Sequence, residues 1–242
     1  MSGRTWAIGV TTAFLGLLLI IGSGCQKPVI YGRPQELGLD QERGEVWAVA
    51  PALNLSGQRD VDPLLQADIV YGQLQRVRGL TVIPVNRVAE VYNSLRIEKV
   101  QSAEQAAIVC DLLGCDALVV PTVTAYDPYN PPKMGASLQV FNRPGSFSRQ
   151  AAEAVDVREL SRAAAPPPGE SLPRQPDTFI QAVGMFDAAN GTTRDAVMAY
   201  AAGRNDPVGP MGPKEYFASM ERYCGFVYYE LIADVLRQKG NG

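Results

Sequence analysis

The 242-residue sequence contains no histidine. That absence excludes Ser-His-Asp and Cys-His catalysis, histidine-ligated zinc and histidine proton relays together. Cysteine is scarce, at four residues, and positive charge is not in excess: 22 Lys+Arg stand against 25 Asp+Glu, a net charge of −3. With an isoelectric point near 5.1, no basic face for nucleic acid is expected. The chain also lacks a Gly-x-Gly-x-x-Gly turn, a Walker loop, a Gly-x-Ser-x-Gly elbow and EF-hand spacing. What it has is 46% hydrophobic residues, the ordinary globular range, in a length that suits one large domain or two small ones.

The first 25 residues set the expected compartment. Arg4 is the only charge ahead of an uncharged run from Trp6 to Ile21, followed by Gly22, Ser23, Gly24 and Cys25. A run of about 16 residues is short for a transmembrane helix, which needs roughly 20. A positive start, an apolar middle and small residues describe a secretory signal, residues 1–24. A cysteine directly after them resembles the bacterial lipobox, with Gly22 where leucine is common. The lipobox implies cleavage before Cys25, diacylation of that residue, and, with Gln26 next, sorting to the outer membrane. An uncleaved N-terminal anchor helix is the alternative. Either arrangement puts the rest of the chain on the periplasmic side. More than one acyl chain gives stable membrane residence, since each buried CH₂ contributes about 0.8 kcal/mol.

Cys110, Cys115 and Cys224 remain. An odd number in an oxidising compartment leaves at least one thiol free or paired with another chain. Buried structural thiols are the preferred reading, with a disulfide as the alternative. Neither a metal site nor a cofactor is expected.

Residues 26–44 carry Pro28, Gly32, Pro34 and Gly38 without periodicity and read as a flexible tether, spanning roughly 20–25 Å. From residue 45 to 242 the pattern predicts a single α/β domain in three layers. Its mixed sheet of about five strands carries flanking helices and closes with a long C-terminal helix. Val46–Leu53 is a buried strand. Asp62 and Pro63 form an N-cap and first helical residue, and Leu64, Leu65, Ile69, Val70, Leu74 and Val77 follow at helical spacing. Leu80–Val85 is the second strand, and Asn86 is expected to cap the next helix. Ser102 with Gln105 forms a capping box, and Gly114 ends that helix. Asp116–Ala125 is the third strand, with Pro121 suggesting a bulge or an edge. Ser137–Asn142 and Thr178–Asp187 are the fourth and fifth. The insert 143–177, with Pro166–Pro168, reads as disordered or loosely ordered. A short helix from Thr192 or Thr193 to Gly203 precedes one continuous helix from Pro213 to Lys239. On that helix Phe217, Met220, Cys224, Val227, Leu231 and Val235 form a core stripe.

No carboxylates are visibly paired for catalysis, which in a retaining glycosidase would stand about 5 Å apart, so no catalytic residue is assigned. Two segments stand out as candidate partner-binding residues. Asn54, Ser56 and Gly57 follow the first strand at the end where open α/β sheets place ligands; alternatively they make a self-bonded turn. Tyr126, Asp127 and Tyr129 sit in a proline-stiffened link that either presents its tyrosines at little entropic cost or folds them onto the sheet.

The strand Val46–Leu53 with its Asn54-x-Ser56-Gly57 turn, the strand Leu80–Val85 leading into Asn86-Arg87, and the run Leu113-Gly114-Cys115-Asp116-Ala117-Leu118-Val119-Val120 with the hairpin after it resemble the CsgG/LpoB/TolB-N-terminal type of periplasmic α/β domain. The resemblance covers residues 46–142, the strand at 178–187 and the closing helix. It implies a non-catalytic envelope lipoprotein: a factor that meets a protein partner on the periplasmic side or, as the alternative, a subunit of a secretion complex. An envelope hydrolase working through carboxylates is a more distant third reading. Barrel-forming hairpins of the secretion channel would need strands of about 9–11 alternating residues. Residues 143–177, with Arg149, Glu153, Asp156, Arg158, Glu159 and Arg162, do not supply them, so a pore is not expected. Oligomeric state is left open.

Overall fold

The computed structural model describes residues 36–39, 44–143, 179–204 and 210–240. The signal segment with Cys25, most of the tether and the insert from Pro144 to Thr178 lie outside the described residues. The order is β1 (Glu45–Val49), β2 (Leu53–Asn54), α1 (Pro63–Leu74), β3 (Leu80–Ile83), α2 (Val85–Leu95), α3 (Ala103–Leu113), β4 (Ala117–Asp127), β5 (Lys133–Asn142), β6 (Phe179–Asp187), α4 (Gly191–Ala202), a 3₁₀ turn (Gly212–Lys214), α5 (Glu215–Ala218) and α6 (Met220–Gly240). The strands form a six-stranded sheet in the order β3-β1-β4-β5-β6, with β2 added beside β4. β1 is parallel to β3 and β4, whereas β5 pairs antiparallel with both β4 and β6. The sheet is therefore mixed, as its connections require: helices cross over between the parallel strands, and a short hairpin joins β4 to β5.

Alternation along the strands divides the core into two layers. On one face Trp47, Val49, Val119, Leu138, Val140 and Ala182 pack against α1 and α6. There Tyr223, Phe226, Tyr228, Leu231 and Ile232 of α6 are at most 1% exposed. Each such side chain contributes about 1.5–3 kcal/mol by leaving water. On the other face Ala48, Ala50, Leu118 and Val120 meet Val88 and Tyr92 of α2 and Ala106, Val109 and Cys110 of α3. Small strand residues there let the two short helices lie close to the sheet.

Several boundaries differ from the sequence expectation, each for a local reason. The run Val46–Leu53 is not one strand: Pro51, which cannot donate to a ladder, separates β1 from β2. The break also explains Pro121 in the central strand β4. Val119 and Val123 accept from Ala50 and Leu55 on the β1/β2 side, so by alternation Pro121 turns its missing N–H toward the gap between those two strands. The irregularity in β4 falls two residues later, between Val123 and Ala125. α2 begins at Val85 behind an extended Pro84, with Asn86 inside its first turn rather than at the cap. Ser102 does cap α3, accepting from Gln105 N, but the Gln105 side chain accepts from Gln101 N, one residue beyond the expected box. Leu64 and Leu65 are exposed, because Gln66, Ala67, Val70 and Leu74 form the buried face of α1.

The C-terminal helix is not continuous. Ser219 is extended, at φ −106° and ψ 112°, and closes α5 through its N–H to Glu215 O. Its own carbonyl and hydroxyl then receive Tyr223 N and Arg222 N, so one serine ends one helix and caps the next. The described part of the tether is also held. Leu37 O and Leu39 N bond to Arg78 N and O at 2.9 and 3.0 Å, and Leu37 packs on the core.

Candidate functional site

Parallel pairing brings the candidate residues together at one end of the sheet. Leu53 and Asn54 lie beside Thr122 and Val123, so the turn after β2 leaves the sheet at the same end as the link after β4, four residues before β4 itself ends at Asp127. Ala52 N bonds to Pro63 O at 3.1 Å and seats the start of α1 at this same end. The helix begins there because Asp62 Oδ1 accepts from Leu64 N and Leu65 N, at 2.8 and 3.3 Å, and Pro63 needs no acceptor.

The Asn54 turn spends its polar groups on itself. Asn54 Oδ1 accepts from both Ser56 N (3.1 Å) and Ser56 Oγ (2.7 Å), and Asn54 Nδ2 donates to Gln58 O (2.7 Å). Gln58 N closes the ring on Ser56 Oγ at 3.2 Å. Gly57 sits at φ +76°, where a side chain would be strained. These three residues thus form a self-bonded turn. Its consequence is a rigid loop that holds Leu55 in solvent at 67% exposure.

The two tyrosines divide between the two expectations. Tyr126 folds back onto the core beneath the loops. Burial first, then the nearby Cys224 and Asp60, pushes its hydroxyl up to about 12. Tyr129 points outward at 80% exposure. Asp127 Oδ1 accepts from Tyr129 N at 3.1 Å and shapes the turn, and Pro128, Pro131 and Pro132 stiffen it, with a cis bond at Asn130–Pro131. Lys133 and Asp187, 3.6 Å apart, join the base of this link to the end of β6.

This end therefore exposes Leu55, Leu64 and Tyr129, and Asp60, Asp62 and Asp127 belong to the same two connecting segments. Leu55 and Leu64 were not among the candidates. The signal that could have found Leu64 is its phase, since it falls off the 66-67-70-74 face of α1. Leu55 could have been found as an apolar residue inside a self-bonding turn. Among the described residues no group of three Cys, Asp or Glu side chains could hold a metal ion.

Cys110 and Cys115 are buried free thiols, as is Cys224. They meet where Gly114 turns the end of α3 at φ +69° and Cys115 N bonds to Cys110 O at 3.0 Å. The Cys115 side chain and burial both push the Cys110 thiol up, away from the reactive thiolate.

No family model and no curated protein sequence matches the chain. Among solved structures it is similar to lipoprotein GNA1162 of Neisseria meningitidis, at 17% identity over 50% of this chain and 99% of that one, with a TM-score of 0.33. The protein CT253 of Chlamydia trachomatis is 12% identical over 80% of this chain and 96% of its own, with a TM-score of 0.40. The C-terminal domain of LpoB from Salmonella enterica is 10% identical over 45% and 76%, with a TM-score of 0.34. Likenesses this remote leave the fold to stand on the strand order itself.

Proposed function

We propose that this chain is a non-catalytic lipoprotein of the bacterial envelope, anchored through Cys25, whose α/β domain docks a protein partner through the loop end of its sheet. The observation that carries the reading is the display of Leu55, Leu64 and Tyr129 on backbone that is already rigid. Large apolar side chains held out by stiff turns lose little entropy on contact, which is the economy of an interface anchor. Asp60, Asp62 and Asp127 favour a partner whose matching surface is apolar at its centre and basic at its rim. Anchoring raises the effective concentration toward a partner in the same compartment, so the contact itself can be weak.

A photo-crosslinking residue at position 129 tests the docking face in cells, against the same residue at position 98 beyond the end of α2. A discrete adduct from 129 that is absent from 98 supports the reading, and identical patterns from both positions sink it. The anchor has its own test: Cys25→Ala should leave the protein unprocessed or release it from membranes. A variant that matures normally and still sediments with lipid would remove the lipoprotein assignment.

A further inference from the structure

Among the described residues, β6 is a long edge strand without the usual guards. Natural edges are kept short, charged, bulged or covered. β3, at the other side of the sheet, is four residues long and has Leu37–Leu39 beside its start. β6 runs nine residues, has no charged side chain before Asp187, contains no proline and pairs with β5 without a bulge. No described strand lies on its outer side. Its odd-numbered side chains are bare: Val183 is 65%, Met185 58% and Phe179 45% exposed.

The main chain of these same residues faces outward. Val119 O and Val123 O point to the β1/β2 side, so the even residues of β4 bond to β5. The odd residues of β5 then answer β4, and its even residues bond to Ile180, Ala182 and Gly184. Ala188 N, which continues the even series, indeed bonds to Pro132 O at 3.0 Å. Phe179, Gln181, Val183, Met185 and Asp187 are left with N–H and C=O groups directed away from the sheet. Gln181 O is reached from that side by Gln238 Nε2 at 3.1 Å.

We propose that β6 pairs antiparallel with β6 of a second copy of this chain, centred on Val183. The strand is self-complementary in this register. Val183 lies midway between Phe179 and Asp187, so the whole strand is paired: Val183 faces Val183, Gln181 faces Met185 and Phe179 faces Asp187. The two Asp187 carboxylates fall at opposite ends, whereas a register centred on residue 187 would set them against each other. The odd-numbered pairs are the hydrogen-bonded ones, because the outward groups are on odd residues, and the even-numbered pairs between them, such as Ala182 with Gly184, are the non-hydrogen-bonded ones. Gln181 O can serve both Gln238 and the new strand through its second lone pair.

The covering helices also permit the pairing. α6 rests over β5 and β6 together. With strands about 4.8 Å apart, the two α6 axes would stand about 10 Å apart across the dyad, the ordinary distance for packed helices. The product is one continuous sheet through both copies, with the docking loops of each copy at opposite ends. This interface is separate from those loops, so its failure would leave the proposed docking function untouched.

The test is the mass of the full-length protein in mild detergent, by sedimentation velocity over a dilution series, with amide exchange read at Val183 and Met185. A dimer is expected whose dilution removes protection from those two amides. Val183→Lys sets two ammonium groups opposite one another at an exposed position and should weaken the dimer about tenfold or more, with an unchanged circular dichroism spectrum. Val183→Ile should keep the dimer. A wild-type monomer at every concentration overturns the proposal. So does an assembly of any size whose mass and Val183 protection are indifferent to Val183→Lys.

Discussion

At the end of the sheet where β1 begins, charged side chains are built into the fold, whereas at the loop end bare apolar ones stand outside it. Lys239 Nζ, at the close of α6, lies 2.8 Å from Glu45 Oε2 and 5.3 Å from the Trp47 ring. Glu45 Oε2 also accepts from Trp47 Nε1 at 2.7 Å, and both charged side chains are almost wholly buried. Nearby, Arg143 stands 3.7 Å from Asp111 and 3.5 Å from Asp116, whose second oxygen accepts Val46 N at 2.9 Å. The loop end has turns that satisfy themselves and side chains that touch little. One end is arranged for stability and the other is free to be used, so substitutions at the two ends should act on different measurements.

The largest effect is expected from Glu45→Ala. It strips the carboxylate from a buried ammonium and from the Trp47 indole, and should cost about 3–5 kcal/mol in denaturant unfolding. A loss below about 1 kcal/mol would mean that the clasp is no more than a surface pair. Asp62→Ala lies at the loop end yet removes a helix cap, and should cost about 1 kcal/mol. Leu55→Ser with Tyr129→Ala should change stability by less than about 0.5 kcal/mol while abolishing the adduct formed from a crosslinker at position 127. A large stability loss there would mean that the loop end is part of the core after all.

The smallest effect concerns Glu230 on α6. Burial, and then Asp234, raise its carboxyl above the ordinary range against the opposing pull of Arg237. A carboxyl raised on folding favours the folded state only while it is protonated. Its contribution is full below the unfolded value and is lost as pH rises through the folded one. Glu230→Gln should therefore raise the melting temperature slightly at neutral pH and leave it unchanged in acid. An equal gain at both would assign the effect to something other than ionisation.

The start of α1, the end of α3 and the strand order's raw material were legible because each depends on residues close in sequence: Asp62 beside Pro63, Gly114 after Leu113, apolar runs between turns. The break at Ser219 was also local, but the apolar stripe through Phe217 and Met220 runs on past it and hides it. Pro121 misled because its tolerance depends on a gap in β1/β2, some seventy residues away in the chain. The exposure of Val183 and Met185 was not legible at all. An apolar residue in a strand shows its side only once the covering layer is known, and here α6 covers the even residues of β6. Likewise Tyr126 and Tyr129 are the same residue type three positions apart, and only the packing of Cys224 and its neighbours under the loop separates their fates.

The clasp between Lys239 and Glu45 has a mechanical side. Strand β1 enters the sheet at Glu45 and is flanked by parallel β3 and β4, so tension arriving along the chain from its N-terminal side draws β1 lengthwise. Such a load must shear both neighbouring ladders together instead of unzipping one bond at a time. Lys239 pins the point where that force enters, and the Leu37–Arg78 bonds take up the load before it does. The domain is thus braced along the line on which tension from its N-terminal side would act.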